Sequence, residues 1–434
     1  MELEFLGAAS LMIHSANNTT ILCDPWFDTP AFVGSWLPFP KLEYDYSRHI
    51  DYIYISHIHS DHFDLETLSK FDKRTKFLIY KFDNPFLYMR IKSLGFENVY
   101  QLSCGEEFAI DKSTYVKIYG PTESDSFAKQ DVIDTSLLVA DGEHVLLNFN
   151  DNIYELRDEV LKKIKKEHSR VDLLCHGYTS ASSYPQCTIS LSEDEMLRER
   201  DRVTELCLKR SEKLIEFVDP AVFMPFAGFY VLCGDLSNLN KFKANLHPYE
   251  ALLYYRKNMP HLLQDRSCLV MNINETYCLK TNSLSKSYQH YEQSEMDKFI
   301  KDNSSIRYPY QHKDAYEPML IDVLPLIEKA YDRMNSKRLD MAFSTETKIL
   351  LKLPDGYYLD MSMAGAGYQI SNNLNLDDIN YVMMEVDFRL LYMLLKGPKY
   401  AHWDNADHGS HIKYNKNPNV YEKGIYHLMC YFHS

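Results

Sequence analysis

Three histidines and one aspartate fall within six consecutive residues near the start of this 434-residue chain, in the run His57-Ile58-His59-Ser60-Asp61-His62. An apolar stretch (52–55) rich in β-branched and aromatic residues precedes the run and predicts a buried strand. An acidic stretch (63–68) follows it and predicts the first turns of a helix. Zinc and iron bind imidazole nitrogen and carboxylate oxygen, so this strand-to-helix loop predicts a metal site.

The composition is typical of a globular enzyme with real hydrophobic cores, since 45% of the residues are apolar. A net charge of −14 disfavours nucleic acid as a partner, and a small-molecule substrate is expected instead. The nine cysteines include no CxxC pair, which indicates reduced thiols. No stretch approaches the roughly 20 apolar residues of a membrane span. We therefore expect a cytoplasmic protein that binds no membrane, with its oligomeric state left open.

The length of the chain and a change in its pattern predict two domains. Strand-like and helix-like segments alternate up to about residue 274, as a layered α/β fold requires. Polar residues dominate from 280 to 305, and beyond them a helical pattern starts at Met319, followed by two strands around Pro354-Asp355-Gly356. We expect a catalytic domain over residues 1–284 and a smaller α+β domain over 285–434, which shapes the substrate pocket or forms an interface.

The run from His57 to His62 resembles the H-x-H-x-D-H signature of the metallo-β-lactamase fold. The resemblance extends to three predicted strands before it, the third of which ends at Asp24. It implies an α/β fold in which residues 1–284 form an αββα sandwich. It also implies that His57 and His59 hold one metal ion, that Asp61 and His62 hold a second, and that Asp24 orients the metal-bearing loop.

The same resemblance assigns a metal-bridging aspartate to the end of a later buried strand. Asp151, after the predicted strand 145–150, matches that place, and its alternative role is that of a helix N-cap. Asp61 and Asp151 are thus the expected catalytic carboxylates. For the last ligand of the second metal we expect His176, at the end of an apolar strand, with His247 as the alternative; the family's usual position is occupied by Ala227.

A third imidazole for the first metal is missing, because no histidine lies between His62 and His144. Glu123 lies closest to its place in the sequence, after a predicted strand and Pro121. Two other carboxylates, Asp125 and Asp134, are rivals, and a turn rich in solvated acidic residues remains the alternative. A carboxylate in place of an imidazole favours iron or manganese over zinc. Two metal ions are expected, with iron preferred and zinc or manganese as alternatives.

A narrower resemblance, to the metallo-β-lactamase portion of the CMP-N-acetylneuraminate hydroxylases, is carried by stretches 178–187, 225–230 and 402–411. The ligand set also resembles that of diiron β-hydroxylases with this fold. These stretches predict contacts to a substrate from five residues: Tyr184, Phe229, His402, Trp403 and Asn405. The hydroxylases carry a Rieske domain, whose paired Cys/His spacing is not found here. Oxygenase activity would therefore need an external electron donor or a substrate that supplies the electrons.

Two enzymatic functions follow from one metal scaffold. In the first, two irons activate O₂ and oxidise a polar metabolite such as a sugar or a nucleotide-sugar. In the second, the metals lower the pKa of a bridging water, and hydroxide attacks a phosphodiester, a lactone or an amide. The missing imidazole favours the oxygenase, and a fold used purely for binding is disfavoured because the signature is complete.

Overall fold

The computed structural model describes residues 1–120, 134–152, 158–312 and 314–434. Its first sheet has eight strands. In spatial order they are β17 (Ser283–Leu284), β16 (Thr276–Cys278), β1 (Glu2–Gly7), β2 (Ser10–His14), β3 (Thr20–Cys23), β5 (Tyr52–Ile55), β6 (Lys76–Tyr80) and β7 (Val99–Leu102). The part from β3 to β7 is parallel, so these strands end at one edge of the sheet.

The second sheet has seven strands. In spatial order they are β15 (Ser267–Cys268), β13 (Val222–Pro225), β12 (Leu173–His176), β11 (Val145–Asn150), β10 (Ser136–Ala140), β9 (Tyr115–Tyr119) and β8 (Phe108–Ala109). The strands β11, β12, β13 and β15 run parallel. A separate two-stranded pair joins β4 (Trp36–Leu37) to β14 (Val231–Leu232).

Helices cover the outer faces of these two sheets. They are α1 (Leu65–Ser69), α2 (Phe86–Ser93), α3 (Asp158–Glu167), α4 (Glu193–Val218) and α5 (Pro248–Asn258). Buried side chains such as Leu11 and Leu146 join the inner faces of both sheets in one core. A second core packs α1 and α2 on the first sheet, and a third packs α3, α4 and α5 on the second. This layering confirms the predicted αββα sandwich.

The rest of the chain builds a five-stranded sheet with its own core. Its strands, in spatial order, are β20 (Tyr368–Ser371), β19 (Tyr358–Met361), β18 (Lys348–Lys352), β21 (Tyr381–Glu385) and β22 (Lys413–Asn417). The helices of this part are α6 (Gln293–Asp302), α7 (Leu320–Asp340), α8 (Phe388–Leu395), α9 (Trp403–His408) and α10 (Lys423–Met429). The expected antiparallel pair around Pro354-Asp355-Gly356 is present as β18 and β19.

The predicted boundary between the two domains, at residues 284 and 285, stays a prediction. Helix α6 lies beyond it but packs on the preceding part of the chain, since the ring centroids of Phe299 and Phe39 are 5.3 Å apart. Within the described residues no helix is long and apolar enough to cross a membrane.

Candidate metal centre

The loop after β5 is held at both of its ends. The backbone N–H of Ser56 donates to Asp24 Oδ1 (2.8 Å), which ties the end of β5 to the end of β3. Further along, the backbone N–H groups of His62 and Phe63 donate to the carbonyl of His59 at 3.1 and 2.7 Å. This tight turn directs the three imidazoles of the motif toward one another. The ring centroid of His57 lies 4.6 Å from that of His59 and 4.2 Å from that of His62.

The first group of candidate ligands joins His57, His59 and Asp134. The Nε2 atom of His57 lies 2.9 Å from Nδ1 of His59 and 3.4 Å from Oδ1 of Asp134. Thr135 positions that aspartate, because its hydroxyl donates to the carbonyl of Ser56 at 2.7 Å. The structure thus places Asp134, one of the two alternatives to Glu123, in the ligand group with His57 and His59. Glu123 and Asp125 themselves lie outside the described residues.

The second group joins His57, His62 and Asp151, and Asp61 lies beside it. The Nε2 atom of His62 is 3.2 Å from Asp151 Oδ2 and 3.5 Å from Asp61 Oδ2. On the other side of the same ring, Nδ1 is 3.2 Å from Oδ2 of Asp24. A carboxylate can only accept, so Asp24 selects the tautomer that keeps the proton on Nδ1 and leaves the Nε2 lone pair facing Asp61 and Asp151.

Burial and neighbouring charges act on these rings in opposite directions. Burial, together with His62 and His59, holds the pKa of His57 well below its ordinary value. Burial also acts against charge on His62, but Asp61 and Asp151 raise the pKa of this ring well above its ordinary value. The same cluster lowers the pKa of Asp151, although burial opposes this shift. Positive charge is therefore favoured beside Nε2 of His62, where the carboxylates of Asp61 and Asp151 meet.

The chemistry of this donor set fits metal ions. Two polar atoms of the motif, Nε2 of His62 and Oδ1 of Asp61, are buried without a well-aligned hydrogen bond in the described protein. Two further ring nitrogens, on His57 and His59, face each other at 2.9 Å. Leaving buried polar atoms unpaired is costly unless a ligand satisfies them. Imidazole nitrogen and carboxylate oxygen at these spacings are what zinc, iron or manganese would satisfy.

A third group contains His59 with Asp404 and His408 from α9. Asp404 Oδ2 lies 2.9 Å from Nε2 of His59, and Oδ1 lies 3.4 Å from Nδ1 of His408. Burial opposes charge on His408, yet Asp404 and Asp407 raise its pKa to about 10. Sequence reasoning missed this pair, because it interpreted the stretch 402–411 as a substrate contact. The available signal was the i, i+4 spacing of Asp404 and His408, which places both on one helix face.

Neither candidate for the last ligand of the second metal joins a ligand group among the described residues. His176 ends β12, its Nδ1 atom lies 2.9 Å from the carbonyl of Gly177, and burial lowers its pKa to about 4. His247 caps α5 by accepting from the backbone N–H of Tyr249, and burial lowers its pKa to about 4 as well. His176 keeps a buried Nε2 without a partner, so its role as a ligand stays a prediction.

The expected substrate contact Trp403, on α9, is buried in the structure. Trp403 is 3% exposed, and its Nε1–H donates to the carbonyl of Phe432 at 2.8 Å. This large ring belongs to the C-terminal core, and its contact with a substrate stays a prediction. His402 directly precedes α9, where burial lowers its pKa, and Asn405 is half-buried on the helix.

The two remaining expected contacts lie in different places. The hydroxyl of Tyr184 donates to Glu199 at 2.7 Å, which ties it to α4. Phe229 lines a small aromatic cleft together with His247 and Tyr291. Its ring packs edge-on against His247, with centroids 5.0 Å apart. A substrate contact from either residue stays a prediction.

Comparison with known proteins supports the fold of the N-terminal part. Residues 2–177 match the family model described as a beta-lactamase superfamily domain, which confirms the metallo-β-lactamase fold predicted from the motif. A Mycobacterium tuberculosis protein named "Putative Rieske 2Fe-2S iron-sulfur protein" is 31% identical over 197 residues, or 43% of this chain and 36% of that protein. The cytidine monophosphate-N-acetylneuraminic acid hydroxylase of Mus musculus is 26% identical over 215 residues, or 48% of this chain and 36% of that protein.

The similarity thus spans just over a third of the length of these relatives. Among solved structures, CmlA, a diiron beta-hydroxylase from Streptomyces venezuelae, is 18% identical. The match covers 63% of this chain and 53% of that chain with a TM-score of 0.41, a value too low to support an inference about function.

Proposed function

We propose that this chain is a dinuclear metal-dependent enzyme, and more specifically a diiron oxygenase that acts on a polar metabolite such as a sugar or a nucleotide-sugar. The observation that carries the proposal is the pair of ligand groups that share His57, one with His59 and Asp134 and one with His62 and Asp151. The single lone pair of Nε2 on His57 can bind only one ion, so the two neighbouring groups together offer separate donors for two ions.

The proposed ligands of the first iron are Nε2 of His57, Nδ1 of His59 and a carboxylate, for which the described residues offer Asp134. Glu123 remains the alternative predicted from the sequence. The proposed ligands of the second iron are Nε2 of His62 with Asp61 and Asp151. Since its carboxylate also groups with His57, Asp151 is the proposed bridge.

The donor set supports iron over zinc. It includes three carboxylates, which are hard oxygen donors, and one of them, Asp134, takes the place of the further imidazole that the family usually supplies. Oxygen-rich sites favour iron or manganese, and iron bound here would supply the activation of O₂. The mouse relative is named as the hydroxylase of a cytidine monophosphate sugar. This name supports the proposed oxygenase and suggests the substrate class.

The proposed hydroxylation must balance in atoms and in electrons. One oxygen atom of O₂ enters a C–H bond of the substrate to form C–OH, and the other leaves as water. That balance needs two electrons and two protons, for which we propose an external electron donor. In the protein, Asp24 holds the proton on Nδ1 of His62, and the rings of His57 and His62 are buried.

Metal analysis tests the proposal directly. Protein produced in iron-rich medium should contain two irons per chain and show an O₂-dependent change in its visible absorption after reduction. The double variant His59→Ala/Asp61→Ala should lose this metal while its far-UV circular dichroism stays unchanged. His49→Ala is the matched control, since that ring is exposed and lies beside Asp51, away from the ligand groups.

Two outcomes would contradict the proposal. A full load of iron in the double variant would disprove the ligand assignment. Zinc bound tightly in place of iron, with O₂-independent hydrolysis of a phosphodiester, lactone or amide, would replace the oxygenase by the hydrolase.

A further inference from the structure

We infer that Asp404 of helix α9 is a positioning residue for His59, so that the C-terminal part of the chain controls the affinity of the metal centre. The inference rests on the proposed dinuclear site. Asp404 lies 345 residues after His59 in the chain, yet its Oδ2 atom is 2.9 Å from the Nε2 atom of that ring.

The two nitrogens of His59 have different surroundings. Nδ1 faces Nε2 of His57 at 2.9 Å, inside the first ligand group, and Nε2 faces the carboxylate of Asp404. A neutral imidazole has one N–H donor and one lone pair, and a carboxylate can only accept. The proton of His59 therefore sits on Nε2, which leaves the Nδ1 lone pair directed at the metal position.

The shape of the ring argues against Asp404 as a ligand of the same ion. The two nitrogens of an imidazole point away from each other, so a carboxylate hydrogen-bonded to Nε2 lies behind the ring that binds through Nδ1. A carboxylate in this place orients the histidine and makes its free nitrogen more basic. Loss of such a partner typically costs 10–100-fold in metal affinity.

Helix α9 is held against the motif by contacts of its own. The ring of His408 stacks on Phe32, with centroids 5.5 Å apart, and its carbonyl accepts from Nε1 of Trp36 at 3.0 Å. The hydroxyl of Ser35 donates to the carbonyl of Gly409 at 2.8 Å. Phe32 is in turn tied to the metal-bearing loop, because its backbone N–H donates to Ser60 Oγ at 2.8 Å. Asp404 thus reaches His59 from a fixed position.

The test compares two aspartates on the same helix. Asp404→Asn removes the charged acceptor of His59. Asp407→Asn is the matched control, since that half-buried carboxylate accepts from the hydroxyls of Ser183 and Tyr414 and contacts no motif histidine. Each full-length variant is freed of metal and titrated with Co²⁺, whose visible absorption reports the geometry of its ligands, and the free energy of unfolding is measured in parallel.

We expect Asp404→Asn to bind one of two Co²⁺ equivalents 10–100-fold more weakly, with an altered spectrum, and Asp404→Glu to restore part of the affinity. Asp407→Asn should lower stability and leave both affinities unchanged. The inference is overturned if Asp404→Asn binds both ions as the wild type does. It is also overturned if affinity falls in proportion to stability in both variants, or if the wild type binds a third ion that Asp404→Asn loses, since Asp404 would then be a ligand. A wild-type protein that binds no metal would instead refute the proposed function.

Discussion

At the scale of single residues, each motif histidine has one ring nitrogen held by the protein and the other directed at the ligand cluster. Ser56 Oγ lies 2.9 Å from Nδ1 of His57, and Asp24 holds Nδ1 of His62. Such partners fix both the tautomer and the orientation of a ring before a metal arrives. The residues around the motif therefore contribute to metal affinity together with the ligands.

The carboxylate at the first site provides a direct prediction. Asp134→Ala should reduce the metal bound per chain from two ions to one, because Asp134 is the described carboxylate that lies 3.4 Å from Nε2 of His57. Elemental analysis of protein purified from iron-rich medium measures this. Glu123→Ala, made in parallel, should keep two ions; if it loses one and Asp134→Ala does not, Glu123 is the ligand.

Asp24 gives a second prediction. Asp24→Asn should weaken one metal equivalent by about 10–100-fold, because a neutral amide no longer stabilises the Nδ1–H tautomer of His62. Competition with a chelator measures the dissociation constant. Asp51→Asn is the control, since Asp51 accepts from the backbone N–H of Thr20 at the far end of β5 and contacts no motif histidine. Equal dissociation constants in the two variants would contradict this role for Asp24.

At the scale of elements, an ion pair ties β1 to the segment that leads into β5. The two terminal nitrogens of Arg48, Nη1 and Nη2, donate to the carboxylate of Glu4 at 2.9 and 2.5 Å. The Nε2 atom of His14 lies 3.6 Å from the same carboxylate. Burial favours the neutral form of Glu4, but His14 and Arg48 outweigh it and lower the pKa from 4.5 to about 2. The first sheet is therefore stabilised by a charge that must stay ionised.

The sign of this shift predicts a pH dependence. A carboxylate with a lowered pKa in the folded state contributes stability above its unfolded pKa, and the contribution is lost as the pH falls from about 4.5 toward 2. Glu4→Gln should therefore reduce the free energy of unfolding at pH 7 by roughly 1–3 kcal/mol and have little effect near pH 2. Denaturant titrations of both proteins at several pH values measure the difference. A difference that does not change with pH would contradict the charged pair.

Helix α9 carries a prediction about packing. Trp403→Ala should lower the free energy of unfolding by about 3–5 kcal/mol, because it empties a buried site and removes the donor of a hydrogen bond to Phe432. Chemical denaturation measures this, and Trp403→Phe should retain most of the stability. Unchanged stability together with weaker substrate binding would instead support a role of Trp403 in the substrate pocket.

At the scale of the whole molecule, the N-terminal sandwich and the C-terminal part meet where α9 packs on residues 31–36. Gly409 lies at this junction, where an added Cβ would be 2.5 Å from the carbonyl oxygen of Phe32. Backbone atoms cannot move aside as a flexible side chain can. Gly409→Ala should therefore lower the free energy of unfolding by about 1–3 kcal/mol, which denaturant titration measures. Wild-type stability in this variant would show that the two parts are not tightly docked here.

The sequence by itself determined the features that depend on neighbours in the chain. The metal motif lies within six residues, and its strand and helix follow from adjacent patterns. The family resemblance that the motif carries pointed to Asp24 and Asp151, each of which follows an apolar strand. The two-layered core was predictable for the same reason, since strand and helix periodicity reports which faces are buried. These inferences needed no knowledge of distant contacts.

Only the tertiary structure decided which distant residues join the motif. Helical spacing indicates that Asp404 and His408 share a face, but it does not reveal what that face packs against. The same limit explains Trp403, whose chemistry suits both a stacking surface and a core. Asp134 could be placed beside His57 only once β10 was paired within the second sheet and Thr135 was bonded to the end of β5 in the first. Contacts between segments far apart in sequence are set by the packing of whole layers, and a local pattern does not contain that information.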